Sequence, residues 1–132
     1  MSSVEVAFLE FIAAFNALDR PRFAQCFASD VSLFAPEPRQ ADRVGRIDGS
    51  SAVQAHFQAV FAAEGSGGAG PDINPTNVRI QHLGETAALV TFEFARAAES
   101  VGRRTILFQR LPEGWKVVHV HASNSAPTQN DA

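Results

Sequence analysis

The chain has 132 residues, a length that fits one domain with a real core and is too short for two. Its 11 Lys+Arg and 14 Asp+Glu give a net charge of -3, and the basic residues are scattered rather than gathered into a stripe, so a nucleic-acid partner is not expected. The single cysteine excludes an internal disulfide and suits a reducing cytoplasm. The absence of a signal-like start or a bilayer-length apolar run predicts a soluble cytoplasmic protein with no membrane partner.

From the N-terminus, Val4, Phe8, Phe11, Ile12, Phe15 and Leu18 recur at spacings of three and four, the stripe of an amphipathic helix that must face a core. Asp19 supplies a cap and Pro21 sits in the first turn of a second short helix, with Phe23 and Phe27 as its buried side and Cys26 between them as a small core residue. Residues 31–34 read as a strand ending at Ala35-Pro36. Residues 37–46 read as a charged loop that runs into a short extended piece at 44–47. Gly49 and Ser50 open a third helix with the stripe Val53, Phe57, Val60 and Phe61, followed at 65–71 by a glycine-rich loop able to gate a cavity. Residues 78–83, 86–96, 101–110 and 115–123 then read as strands joined by hairpin turns. Helices followed by a meander predict an α+β domain over residues 1–126, with helices on one face of a curved, mostly antiparallel sheet and a polar tail at 127–132.

Strand parity separates two unlike faces. Val90, Phe92 and Phe94, then Ile106 and Phe108, then Val118, Val120 and Ala122 form an apolar face expected under the helices. The opposite face carries Leu89, Thr91 and Glu93, then Thr105, Leu107 and Gln109, then Trp115, Val117, His119 and His121. Burying one phenylalanine is worth about 1.5–3 kcal/mol, so a register exposing Phe92, Phe94 and Phe108 together is strongly disfavoured.

The helix pair at 11–30, the Gly49 helix start and the ending Gly114-Trp115-Lys116-Val117-Val118-His119-Val120-His121 resemble, in their order and spacing, the nuclear transport factor 2-like superfamily. This cone-shaped fold includes ketosteroid isomerases and SnoaL-like cyclases, and the resemblance covers nearly the whole chain. The segment His119 to Ser123, with Ala126-Pro127 after it, is also similar to the association domain of calcium/calmodulin-dependent protein kinase II. The isomerases place a carboxylate base before a proline and a tyrosine on the first helix. The matching positions here are Ala35 and Phe11, and the chain has no tyrosine, so that mechanism does not carry over. Glu37 is close in sequence to the missing base but lies in the charged loop.

The resemblance implies an internal cavity beneath the helices, lined here by Phe34, Phe61, Phe92, Phe94, Phe108 and Val120, with Arg104 and Asn124 as the polar groups that share its parity. Such a lining suits a small lipophilic or carboxylate-bearing molecule, bound without a cofactor. Aromatic residues at strand spacing also simply fill space, so solid packing is the competing expectation. His119 and His121 lack the third ligand that zinc needs, since His56 and His82 have no supporting carboxylate or cysteine spacing, and no metal is expected. Glu93 could orient one of them as a base for acid–base isomerase, cyclase or hydrolase chemistry. The preferred expectation is that Trp115, His119, His121, Glu93 and Leu107 form a homodimer contact, and the alternative to ligand binding is a non-catalytic association module. No catalytic residue can be assigned from these patterns.

Overall fold

The computed structural model describes residues 3–36, 45–66, 72–96 and 100–125. In chain order they form α1 (Ser3–Asn16), α2 (Arg20–Ala24), β1 (Phe27–Phe34), β2 (Ile47–Asp48), α3 (Ser50–Ser66), β3 (Thr76–His82), β4 (Ala87–Ala95), β5 (Val101–Leu111) and β6 (Gly114–Asn124). The sheet has six strands in the order β2-β1-β6-β5-β4-β3. Every neighbouring pair is antiparallel except β1 and β6, which run parallel. The expected α+β architecture is present. Among the described residues no helix is long and apolar enough to cross a membrane.

The helical stripe of α1 behaves as its spacing requires, with Val4, Phe8, Phe11 and Ile12 buried. The helix stops at Leu18, which takes the left-handed conformation at φ 54. Asp19 N–H then reaches back to the Ala14 carbonyl and Leu18 N–H to Phe15, each at 3.0 Å, which closes the orphan carbonyls of the last turn. Asp19 next caps α2, accepting from the Arg22 N–H at 3.2 Å. α2 is shorter than expected: it ends at Ala24, and Phe27 opens β1 instead of closing a helix. Gly49 stands at the start of α3 with φ 91, a conformation that side chains resist, while its N–H bonds Val31 and its carbonyl receives Val53 N–H. α3 continues to Ser66, through the start of the expected glycine loop. Residues 67–71 of that loop, and 37–44 of the charged loop with Glu37, lie outside the described residues.

The four strands read from the second half of the sequence are all present, and β4 alternates buried and half-buried residues over most of its length. Val90, Phe92, Phe94, Ile106 and Phe108 are buried on the helix side. One parity expectation is overturned. β5 pairs Leu107 with His119 but Phe108 with Val117, so Val118 is an extra residue in a β-bulge. Beyond it the alternation reverses: Val117 is 0% exposed, and Trp115 packs against the core rather than sharing a face with the histidines. Strict period-two reading cannot survive an inserted residue.

Candidate functional site

A cavity of about 530 Å³ opens between α1, α3 and the concave face of the sheet, a size within the range of small-molecule sites. α1 contributes Phe11 and Phe15, α3 contributes Phe57, and β4 contributes Phe92 and Phe94. Of the residues expected to line it, Phe92, Phe94, Arg104, Val120 and Asn124 do so, and Phe34, Phe61 and Phe108 do not. Phe34 follows buried Leu33 on β1 and therefore points to the other side of the sheet, with Leu33 taking its place in the cavity. Phe61 packs into an aromatic cluster against Phe15 and Phe23, at 5.4 and 5.3 Å between ring centroids. Phe108 is fully buried near Trp115, where it borders a smaller groove beneath α1.

Arg104 is a charged group on the sheet wall of the cavity. Its Nη1 donates to the main-chain oxygens of Arg103 (2.9 Å) and Ser123 (3.0 Å) and to Asn124 Oδ1 (3.1 Å). Its guanidinium lies 4.8 Å from the centre of the Phe94 ring, a cation–π contact. The ring can lie there because its cross-strand neighbour is Gly102, and a Cβ at that position would fall inside the ring. Burial and the neighbouring charge of Arg96 bring the Arg104 pKa down to about 10, so the group stays a cation at neutral pH. An arginine has only donors, so Asn124 must turn its oxygen toward it, which leaves the amide nitrogen of Asn124 as a further donor. This corner of the cavity thus offers hydrogen-bond donors and positive charge, and no carboxylate among the described residues forms an ion pair with Arg104.

The sequence reading missed three polar lining residues, His56, Asp72 and Arg96. His56 lies on α3 and Asp72 precedes β3, and both border the cavity. His56 continues the buried stripe, three residues after Val53 and four before Val60, so its spacing did carry a signal. Asp72 had none. Its place depends on Asn16 of α1, which donates to the Ile73 carbonyl and accepts from the Ile73 N–H, both at 2.9 Å. Phe11 and Ala35, which the sequence resemblance set against the isomerases' tyrosine and carboxylate, also line the cavity.

The open face of the sheet holds the other candidates. His119 Nδ1 and Ser32 Oγ share a hydrogen bond of 2.7 Å, and the Phe34 ring lies 5.7 Å from the His119 ring and 5.4 Å from that of His121. Burial, then the neighbouring His121 and Arg46, lower the His119 pKa from its ordinary value. Glu93 does not join these histidines. It pairs in register with Arg103, whose guanidinium is 3.8 Å away, and accepts from Asn77 at 3.4 Å. β4 and β6 are separated by β5, about 10 Å of sheet, too far for the expected His–Glu couple. Leu107 is half-buried opposite His119, whereas Trp115 lies on the helix side. Among the described residues no three His, Cys, Asp or Glu side chains form a group that could hold a metal ion.

The family model of the SnoaL-like domain matches residues 4–128, nearly the full chain. The chain belongs to the SnoaL-like domain family. This SnoaL-like domain is similar in fold to a nuclear transport factor 2-like protein of unknown function from Pseudomonas putida, with a TM-score of 0.75 at 19% identity, covering 97% of this chain and 87% of that one. A ketosteroid isomerase-like protein from Erwinia carotovora atroseptica gives a TM-score of 0.72 at 17% identity and 95% coverage of both chains. A candidate calcium/calmodulin-dependent protein kinase type II association domain from Thiobacillus denitrificans gives 0.67 at 23% identity and 98% coverage of both. A comparison with curated protein sequences finds no match. At these identities the likenesses establish the fold of the SnoaL-like domain alone.

Proposed function

We propose that this SnoaL-like domain acts in the cytoplasm and binds, without a cofactor, a small apolar molecule carrying a carboxylate in the cavity beneath α1 and α3. The observation that carries the reading is Arg104: a cation on a mostly apolar wall, stacked on Phe94 and anchored by main-chain oxygens and Asn124, with no acidic partner among the described residues. A carboxylate supplies the negative charge that Arg104 lacks among the described residues, and Phe11, Phe57 and Phe92 suit its apolar body. Acid–base chemistry on the bound molecule would run through His56 and Asp72, which border the cavity, since Glu93, His119 and His121 do not line it. Calorimetric titration with octanoate tests the reading. Saturable binding that weakens at least tenfold in Arg104→Gln is expected, and equal binding by wild type and variant would remove Arg104 from the site.

A second reading, homodimeric association through the open sheet face, is favoured by one observation: Phe34 remains 37% exposed between two histidine rings. His119, His121, Leu107 and Phe34 supply an apolar and weakly polar patch there, without Trp115. On this reading the protein elutes as a dimer, and the double variant His119→Glu, His121→Glu is a monomer by light scattering because like charges meet across the two-fold axis. A dimer that survives the double substitution would count against this face.

A further inference from the structure

Arg104 is not the only cation at the cavity. Arg96, at the end of β4, borders the same space. It lies close enough for its charge to help lower the pKa of Arg104. Its position is built rather than incidental. Arg96 Nη1 donates to Ser100 Oγ at 3.0 Å, and the main-chain N–H of Arg96 donates to the Ser100 carbonyl at 2.9 Å. Ser100 is 3% exposed, a buried polar residue in an otherwise apolar core. Its hydroxyl donates a hydrogen bond to the Ser125 carbonyl at 2.6 Å, and Ser125 Oγ accepts from the Val101 N–H at 2.8 Å. This chain of bonds crosses from the end of β4 to the end of β6, so the second guanidinium is tied to the strand that carries Asn124.

Among the described residues the charges around the cavity do not balance. Arg22, Arg46 and Arg103 each have a carboxylate within 4.0 Å, but among the described residues neither Arg96 nor Arg104 does. Among the described residues the lining contains those two arginines and one carboxylate, Asp72. Two like charges near one cavity wall repel each other, and an anion bound between them would offset that repulsion. We infer that Arg96 and Arg104 together clamp the acidic head of the ligand, and that Ser100 is the positioning residue that holds Arg96 in place. The inference rests on the proposed carboxylate-binding function and adds its selectivity: the site takes an ionised organic acid and rejects the neutral amide of the same shape. The apolar body gains the same contacts from either molecule, so the discrimination arises at the head alone.

Calorimetry with octanoate and octanamide separates the possibilities. Wild type is expected to bind octanoate at least tenfold more tightly than octanamide. Arg96→Gln should lose about tenfold in octanoate affinity with octanamide unchanged, and Ser100→Ala should lose a few-fold that Ser100→Thr restores. If both guanidiniums grip one head, Arg96→Gln and Arg104→Gln lose less in combination than the product of their separate losses. Wild-type octanoate binding by Arg96→Gln, alongside a loss in Arg104→Gln, would overturn the clamp and leave the Arg104 reading standing. Equal losses for acid and amide in Arg96→Gln would reduce Arg96 to a structural role and also overturn the clamp. Failure of wild type to bind either molecule would overturn both proposals.

Discussion

Cys26 sits in the small groove beneath α1, where its thiol donates to the Arg22 carbonyl at 3.6 Å. Burial, with a smaller push from Glu10, raises its pKa from 9.0 to about 11. At pH 8 its thiolate fraction is therefore about 100-fold below that of an ordinary thiol. Iodoacetamide should alkylate it slowly at pH 8, with the rate climbing until about pH 11, as a pH–rate profile will show. The folded protein keeps this proton after the unfolded chain has released it. Stability from this group is therefore complete below pH 9 and falls as the pH rises toward 11. The sequence read Cys26 as a small core residue between Phe23 and Phe27; those two are core, and Cys26 is half-buried against them. The sequence could not show the groove, which forms only when β6 brings Trp115 and Lys116 beneath the helix.

At the scale of elements, the bulge in β6 decides which side chains face the helices. Its two valines are adjacent, so deleting either leaves the same sequence, in which the remaining valine still pairs with Phe108 and still points inward. That deletion should cost no more than about 3 kcal/mol and preserve a cooperative urea transition followed by Trp115 fluorescence. Deleting Thr105, in the regular part of β5, should abolish the transition. It reverses the faces of half a strand, placing either Arg104 or Ile106 on the wrong side. A comparable loss in both deletions would show that the bulge is not the slack in this hairpin. Alternation of apolar residues made β4 and β5 legible, because each has a polar face and a buried face and runs in register over its length. The end of α2 was less legible, since Phe23 and Phe27 share a helical spacing that a turn and a new strand satisfy equally well.

For the whole molecule, the apolar cluster that unites the helices with the sheet centres on Phe23. Its ring lies 5.0 Å from Phe11, 5.7 Å from Phe15, 5.0 Å from Phe27, 4.9 Å from Phe57 and 5.3 Å from Phe61. These partners come from α1, β1 and α3, so the short helix α2 acts as the pin between them. Phe23→Ala should cost about 3–5 kcal/mol, a large share of the 5–15 kcal/mol that holds a domain of this size. Urea unfolding will measure it, and a loss below about 1 kcal/mol would mean that the cluster relaxes around the hole. Arg104 lies at the cavity instead of in this cluster. Its replacement should therefore act on binding and leave the fold in place.

The sequence by itself determined the helix stripes, the alternating strands and the family pattern, because each is written in residues a few positions apart and driven by burial of neighbouring apolar groups. It also placed Arg104 and Asn124 on the cavity side of the sheet, since their parity with Ile106 and Ala122 follows from the same local rule. Tertiary structure decided the rest. The extra residue at Val118 appears only when β6 is registered against β5, and the side taken by Phe34 only when β1 is laid beside β6. His56, Asp72 and Arg96 reach one cavity because α3, the segment before β3 and the end of β4 converge there. Contacts between residues far apart in the chain are set by the packing of whole elements, and no local pattern encodes them.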